Sequence, residues 1–345
     1  MRFPFLVGAL AYIAASGAVL SADDLATSAR AQFQPIPSTP PALPGNPATA
    51  AKVQLGAQLF FDPRLSASHS ISCNSCHNLG LGGVDGQETS IGHHWQRGGR
   101  NAPTVLNAVF NTAQFWDGRA KDLEAQAGGP MVNPIEMASP SAHVAEQLAQ
   151  IPGYEEEFRK AFAGEAQPVT LANAQKAIAV FEATLITPNS PFDRFLRGDP
   201  KALDTKAQAG LKLFMDKGCT ACHNGINVGG GRYAPFGLVE KPSAEVRPVG
   251  DKGRFAVTHT DSDEYVFKVP TLRNIALTAP YFHSGKVWDL KEAVTIMAAS
   301  QLGAKLSPAE VDSIVAFLGS LTGEQPKVFV PILPAGVSST SHPEP

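Results

Sequence analysis

Two stretches of the chain carry the same alternation of apolar and polar positions. Gln54-x-Gly56-x-x-Leu59-Phe60-x-Asp62 matches Gln208-x-Gly210-x-x-Leu213-Phe214-x-Asp216, with apolar side chains at helical spacing in both. Each stretch leads into Cys-x-x-Cys-His-Asn. Farther on, Ile178, Phe181 and Leu185 recur at +3 and +4, and Ile314, Phe317 and Leu321 do the same. Thr170 stands before the first of these closing helices, and Ser307-Pro308 with Glu310 before the second; these residue types start helices. The pattern is a diverged internal repeat. Each copy reads as helix, cysteine motif, loop-rich middle and closing helix. Strand signals are few and short. The predicted fold class is therefore mainly α, with two similar domains, and Thr187–Pro191 has the turn composition of the boundary between them.

The ends of the chain differ from this pattern. Arg2 precedes an almost uncharged apolar run, Phe3–Leu20, that closes in small residues before Asp23-Asp24. That order is the signature of an export signal over residues 1–22, cleaved near Ala22. Pro4, Gly8 and Gly17 weaken the competing reading as a membrane anchor, and no later segment is long and apolar enough to span a bilayer. The expected division is 23–186 for the first unit, with 325–345 as a C-terminal tail, and 187–324 for the second. Residues 31–50 are rich in Pro, Ala and Thr and read as an extended arm.

Composition narrows the function. Of 345 residues, 43% are hydrophobic and 17% charged, and the net charge is −3 with no long run of one sign. Nucleic-acid binding through phosphate contacts is excluded, and a basic membrane-surface role is disfavoured. Glycines number 31 and prolines 28, about one residue in six, which predicts long turn-rich connections.

All four cysteines fall in Cys73-Asn-Ser-Cys76-His77 and Cys219-Thr-Ala-Cys222-His223. Cys-x-x-Cys-His is the attachment pattern of c-type haem. Two thiols about one helical turn apart reach the two vinyl groups of a porphyrin, and the next histidine sits under the iron as proximal ligand. A disulfide framework would not put a histidine after every pair. A thioredoxin-like dithiol would occur once, in a βαβ setting. A four-thiolate zinc site would leave both histidines unexplained. Two covalent haem c groups are therefore expected, which also explains how small units gain enough buried apolar mass.

The second axial ligands are less determined. Met297 is the only methionine after His223 and shares a helical face with Leu290, Ala293 and Val294; His259 and His283 compete with it. A His/Met iron is closed to substrate and raised in potential, which suits electron transfer. After His77 the candidates are Met131, Met137, His93, His94 and His143, and the residues alone leave these open. A methionine there would make a two-haem electron carrier, whereas an open or displaceable site would permit chemistry.

The chain resembles the bacterial di-haem cytochrome c peroxidases over about residues 50 to 325. The resemblance rests on both haem motifs together with Ile91-Gly-His93, Arg100-Asn-Ala-Pro-Thr104, Phe115-Trp-Asp-Gly-Arg119, Asn133-Pro-Ile-Glu136-Met137, Pro280-Tyr-Phe-His283-Ser-Gly285 and Gln301-Leu-Gly303 after Met297. It implies two cytochrome c-like domains, usually in a homodimer, in the periplasm. It implies that His77 binds the low-potential, peroxidatic haem and that His93 is its displaceable cap. Glu136 is the implied acid/base, with Gln126 beside it, and Trp116 the indole between the haems. Met297 is the implied distal ligand of the high-potential haem. Asn101 with the carbonyls of Thr278 and Pro280 is the implied calcium site between the domains. The implied reaction is reduction of hydrogen peroxide to water with two electrons from a mono-haem cytochrome c or a small copper protein (cupredoxin). Related MauG-type enzymes, which oxidise a partner protein, have a tyrosine where this chain has Met297. A di-haem electron shuttle is the remaining alternative.

Overall fold

In this computed structural model the described residues are 22–337, 340 and 343. The expected export signal therefore lies, except for Ala22, outside the described residues. No described helix is long and apolar enough to cross a membrane.

The described chain is mainly helical. The first half contributes α1 (Ala22–Arg30), α2 (Ala50–Phe61), α3 (Cys73–Cys76), α4 (Leu123–Val132), α5 (Ser141–Ala149), α6 (Pro152–Ala161) and α7 (Leu171–Ala183). The second contributes α8 (Pro191–Leu196), α9 (Thr205–Asp216), α10 (Phe255–Thr258), α11 (Leu290–Leu302) and α12 (Pro308–Gly319). Sheet is confined to an antiparallel pair, β1 (Tyr233–Pro235) and β2 (Val266–Lys268), with Tyr233 opposite Lys268.

The repeat seen in the sequence is a repeated helix pair. In the first unit α2 packs on α7, and Leu55, Leu59, Phe60, Ile178, Phe181 and Leu185 form its core. In the second, α9 packs on α12 around Leu211, Phe214, Ile314, Phe317 and Leu321. The matched glycines sit at the crossings. A Cβ on Gly56 would stand 2.0 Å from the Ala177 carbonyl oxygen, and one on Gly210 would stand 1.8 Å from that of Ser313. Only a residue without a side chain lets the two backbones approach this closely. The closing helices start as expected: the Thr170 hydroxyl accepts from the Asn173 N–H at 3.1 Å, and Ser307 with Glu310 forms a reciprocal capping box.

The aspartates of the repeat have diverged. Asp62 is fully buried and accepts from the Tyr154 hydroxyl at 2.6 Å and the Arg64 guanidinium at 2.6 Å. Asp216 instead pairs with Lys212 on the surface of α9.

One boundary changes. Leu25, Ala26 and Ala29 of α1, with Phe33 beyond it, pack into the second core against Phe192 and Phe195. The backbone N–H of Ile36 donates to Asp193 Oδ1, and Arg273 donates to Asp193 Oδ1 at 2.8 Å and to the Gln34 carbonyl at 2.9 Å. Residues 22–36 therefore belong with the second unit and not, as the expected division had it, with the first. The cause is tertiary: α1 buries its apolar face on α8, which no local pattern announces. The tail returns to the first unit, where Val328 packs on its core and the Ile332 carbonyl accepts from Gln58.

Candidate active site

The repeat extends into the loops that build the two sites. Pro103-Thr104-x-x-Asn107 corresponds to Pro270-Thr271-x-x-Asn274. Asn107 and Asn274 both adopt left-handed backbone at φ 60° and each opens a short 3-10 turn. Thr104 Oγ1 accepts from the Leu106 N–H as Thr271 Oγ1 does from that of Arg273, both at 3.1 Å. A second turn pair follows. Phe115 and Phe282 lie at φ 67° and 66°, closed by the bridges Gln114–Ala120 and Tyr281–Val287. Trp116 and His283 are then equivalent positions, and their rings lie 6.1 Å apart.

Each Cys-x-x-Cys-His motif opens onto a cavity. The first, about 520 Å³, is lined by Cys76 and His77 and by Gln126, Asn133 and Glu136 on the α4 side. The second, about 320 Å³, is lined by Cys219, Cys222 and His223 and by Leu290, Ala293, Val294 and Met297 of α11. Asn101 to Thr104 and Trp116 line both, so this segment and the tryptophan together form the partition between them. Trp116 is fixed there by its Nε1–H, which donates to the Asn101 carbonyl at 2.8 Å, and by its own carbonyl, which accepts the Lys268 N–H at 2.7 Å.

The donor set fits c-type haem. Burial lowers the pKa of His77 below the usual imidazole range, and it takes His223 down to about 4. Both imidazoles are thus neutral at neutral pH, as iron ligation requires. His223 Nδ1 faces the Val228 carbonyl at 3.3 Å, leaving Nε2 as the ligating atom. The second cavity is walled mainly by apolar side chains, as a porphyrin face needs, and the first by a mixture of apolar and polar ones.

The structure sorts the remaining candidates in part, since His283 and Met297 both line the second cavity. Met131 and Met137 are buried in the first core and line neither cavity. His259 is exposed and lies outside the second cavity, whereas His283 lines it. His93 is buried but does not line the His77 cavity; its ring stacks on that of His94 at 3.7 Å, and its N–H donates to the Glu136 carbonyl at 2.7 Å. Asn101, Thr278 and Pro280 share the wall of the second cavity. The Asn101 amide nitrogen donates to the Gln87 carbonyl at 2.9 Å.

Glu136 is buried between a cation and an amide. Burial raises its pKa, opposed by the Arg119 charge and by the Asn133 amide, which donates to Oε1 at 2.8 Å. Arg119 is itself held by Asp117, which also accepts from Arg100 at 2.7 Å, and Arg100 reaches on to Asp251 of the second unit. Sequence reasoning missed Glu182. It lies on α7, is buried, lines the His77 cavity, and its Oε2 has no hydrogen-bond partner. Its position in a helix of otherwise apolar residues after Ile178 was the available signal. Lys268 in the second cavity was missed because a single charge in a short strand has no motif.

Comparison with known proteins agrees with this geometry. The family model described as di-haem cytochrome c peroxidase matches residues 50–201, and the cytochrome c model matches 207–322. The chain is 59% identical to cytochrome c551 peroxidase of Pseudomonas aeruginosa, over 93% of each chain. It is 36% identical to methylamine utilization protein MauG of Methylorubrum extorquens, over 95% of each. Among solved structures, a MauG-like protein associated with microbial copper homeostasis aligns with TM-score 0.73 and 28% identity, covering 84% of this chain and 94% of that one.

Proposed function

The chain belongs to the di-haem cytochrome c peroxidase family and carries two c-type haems, and we propose that it reduces hydrogen peroxide to water in the periplasm with two electrons from a mono-haem cytochrome c or a cupredoxin. The observation that carries this reading is the asymmetry of the two cavities. Glu136 and Glu182, with Gln126, line the cavity of the first motif, which has no methionine, whereas Met297 lines that of the second, which has no carboxylate. One site is equipped to move protons and the other to close an iron.

Cys73 and Cys76 would hold the first haem with His77 as proximal ligand, and Cys219 and Cys222 the second with His223 and Met297. When bound, the first supplies the iron at which peroxide is reduced and the second the store for an electron. The balance is H2O2 + 2H⁺ + 2e⁻ → 2H2O. Glu136 accepts the proton of the inner peroxide oxygen and returns it to the outer one, so that water leaves. Gln126 orients the substrate by hydrogen bonding through its neutral amide. Asn133 and Arg119 set the aim and proton affinity of Glu136.

His93 is the displaceable cap of the first site, and its N–H bond to the Glu136 carbonyl ties the capping loop to the acid/base residue. In this structure its ring stacks on that of His94 and does not line the His77 cavity. A calcium ion between the units would take the Asn101 side-chain oxygen, because the amide nitrogen is engaged with Gln87, together with the Thr278 and Pro280 carbonyls. The assembly proposed is a homodimer.

The test is peroxide-dependent oxidation of reduced mono-haem cytochrome c, with pyridine haemochrome spectra for haem content. Two acid-acetone-resistant haems and donor oxidation are expected. Two haems without turnover would leave an electron shuttle, and oxidation of a partner protein alone would indicate the MauG-type activity.

A further inference from the structure

Among the residues lining the second cavity there is no aspartate or glutamate, but there are two lysines. Lys217 pairs with Glu310 at 3.0 Å. Lys268 is only 6% exposed, and among the described residues neither a carboxylate nor a hydrogen-bond acceptor offsets the burial of its ammonium. A buried cation without a partner is costly enough that native proteins pair it or neutralise it. The first cavity has no such loose end, because Arg100 and Arg119 are both engaged by Asp117.

We propose that Lys268 is a cofactor-binding residue of the second site, its ammonium holding a propionate carboxylate of the porphyrin bonded to Cys219 and Cys222. The inference rests on the reading that this cavity holds haem c. A porphyrin of that type brings two carboxylates into a space whose wall offers no other unpaired cation. The position of Lys268 adds a consequence. It ends β2, and its backbone N–H donates to the Trp116 carbonyl at 2.7 Å. The backbone of this lysine thus joins the wall of the second site to the partition that both cavities share. Burial alone takes the ammonium down to about 8, and an anion beside it restores the charge. A fixed positive charge near the iron disfavours the ferric form and so raises the potential.

The experiment uses the full holoprotein and the variants K268M and K268R. Spectroelectrochemical titration of K268M should lower the potential of the Met-ligated haem, changing its reduced-to-oxidised ratio at fixed potential by about tenfold, or 59 mV for one electron. K268R keeps the charge and should keep the potential. It should still move the propionate bending band in the resonance Raman spectrum, because a planar fork replaces a point donor. Two haems with an unchanged K268M potential overturn the inference and leave the peroxidase reading intact. Fewer than two haems in the wild type overturn the reading beneath it. Should K268M fail to fold, K268R decides: an unmoved propionate band overturns the inference.

Discussion

Glu136 and Glu182 are two carboxyls in the wall of one cavity, and burial raises the proton affinity of both. They differ in what faces them. Glu136 has Arg119 and Asn133, so it can hold and release a proton, and Glu136→Gln should cut turnover by ~10²–10⁴-fold with both haem spectra nearly unchanged. Steady-state assay of the variant checks this, and a retained rate would assign the proton to another group. Glu182 has no partner and is pushed up to about 8 by burial. The folded protein therefore keeps a proton there that the unfolded chain loses near ~4.3. Stability from this group is present below that lower value and is lost as pH rises toward about 8. Glu182→Gln never ionises, so it should melt above wild type at about pH 9 and with it near pH 4. A melting difference that does not change with pH would show that the carboxyl is not titrating in the fold.

At the scale of elements, the repeated glycines make the clearest claim. Gly56→Ala drives a methyl into the Ala177 carbonyl, and Gly210→Ala drives one into that of Ser313. Backbone cannot swing aside as a side chain does, so each variant should lose ~1–3 kcal/mol or more through overpacking, seen as a lower melting temperature. A variant that melts as wild type would mean that the helix pair slides without cost. These helices were legible because burial is periodic along them and their first turns carry capping side chains. Both cysteine motifs were legible because haem attachment needs fixed spacing, and the α11 face that carries Met297 because its apolar positions are periodic. The second half of each repeat was not. Pro103-Thr104-x-x-Asn107 and its partner at Pro270 are matched through left-handed asparagines and threonine side-chain bonds, which leave no hydrophobic period. The attachment of α1 to the second core was hidden for a related reason, since nine residues of helix do not name the surface they cover.

At the scale of the whole molecule, the two sites share a wall made by Asn101 to Thr104 and by Trp116, its largest side chain. The indole is pinned on the first unit by the Asn101 carbonyl and its backbone is pinned on the second by the Lys268 N–H. A lone half-buried tryptophan in a core would stabilise through area alone. On the proposed function, a tryptophan that walls both cavities would also fill the space an electron has to cross from one site to the other. The two roles separate by experiment. Trp116→Phe keeps an aromatic wall but loses the Nε1–H bond, and Trp116→Leu removes the ring. On the electron-path reading, rapid mixing of half-reduced enzyme with peroxide should show transfer between sites slowed modestly in the first and strongly in the second. Equilibrium potentials of both haems should stay near wild type, since neither variant changes a charge. On the packing reading, both variants melt lower and transfer at the wild-type rate. The order Trp, Phe, Leu in rate, without the same order in potential, is the outcome that assigns the partition its part in the reaction.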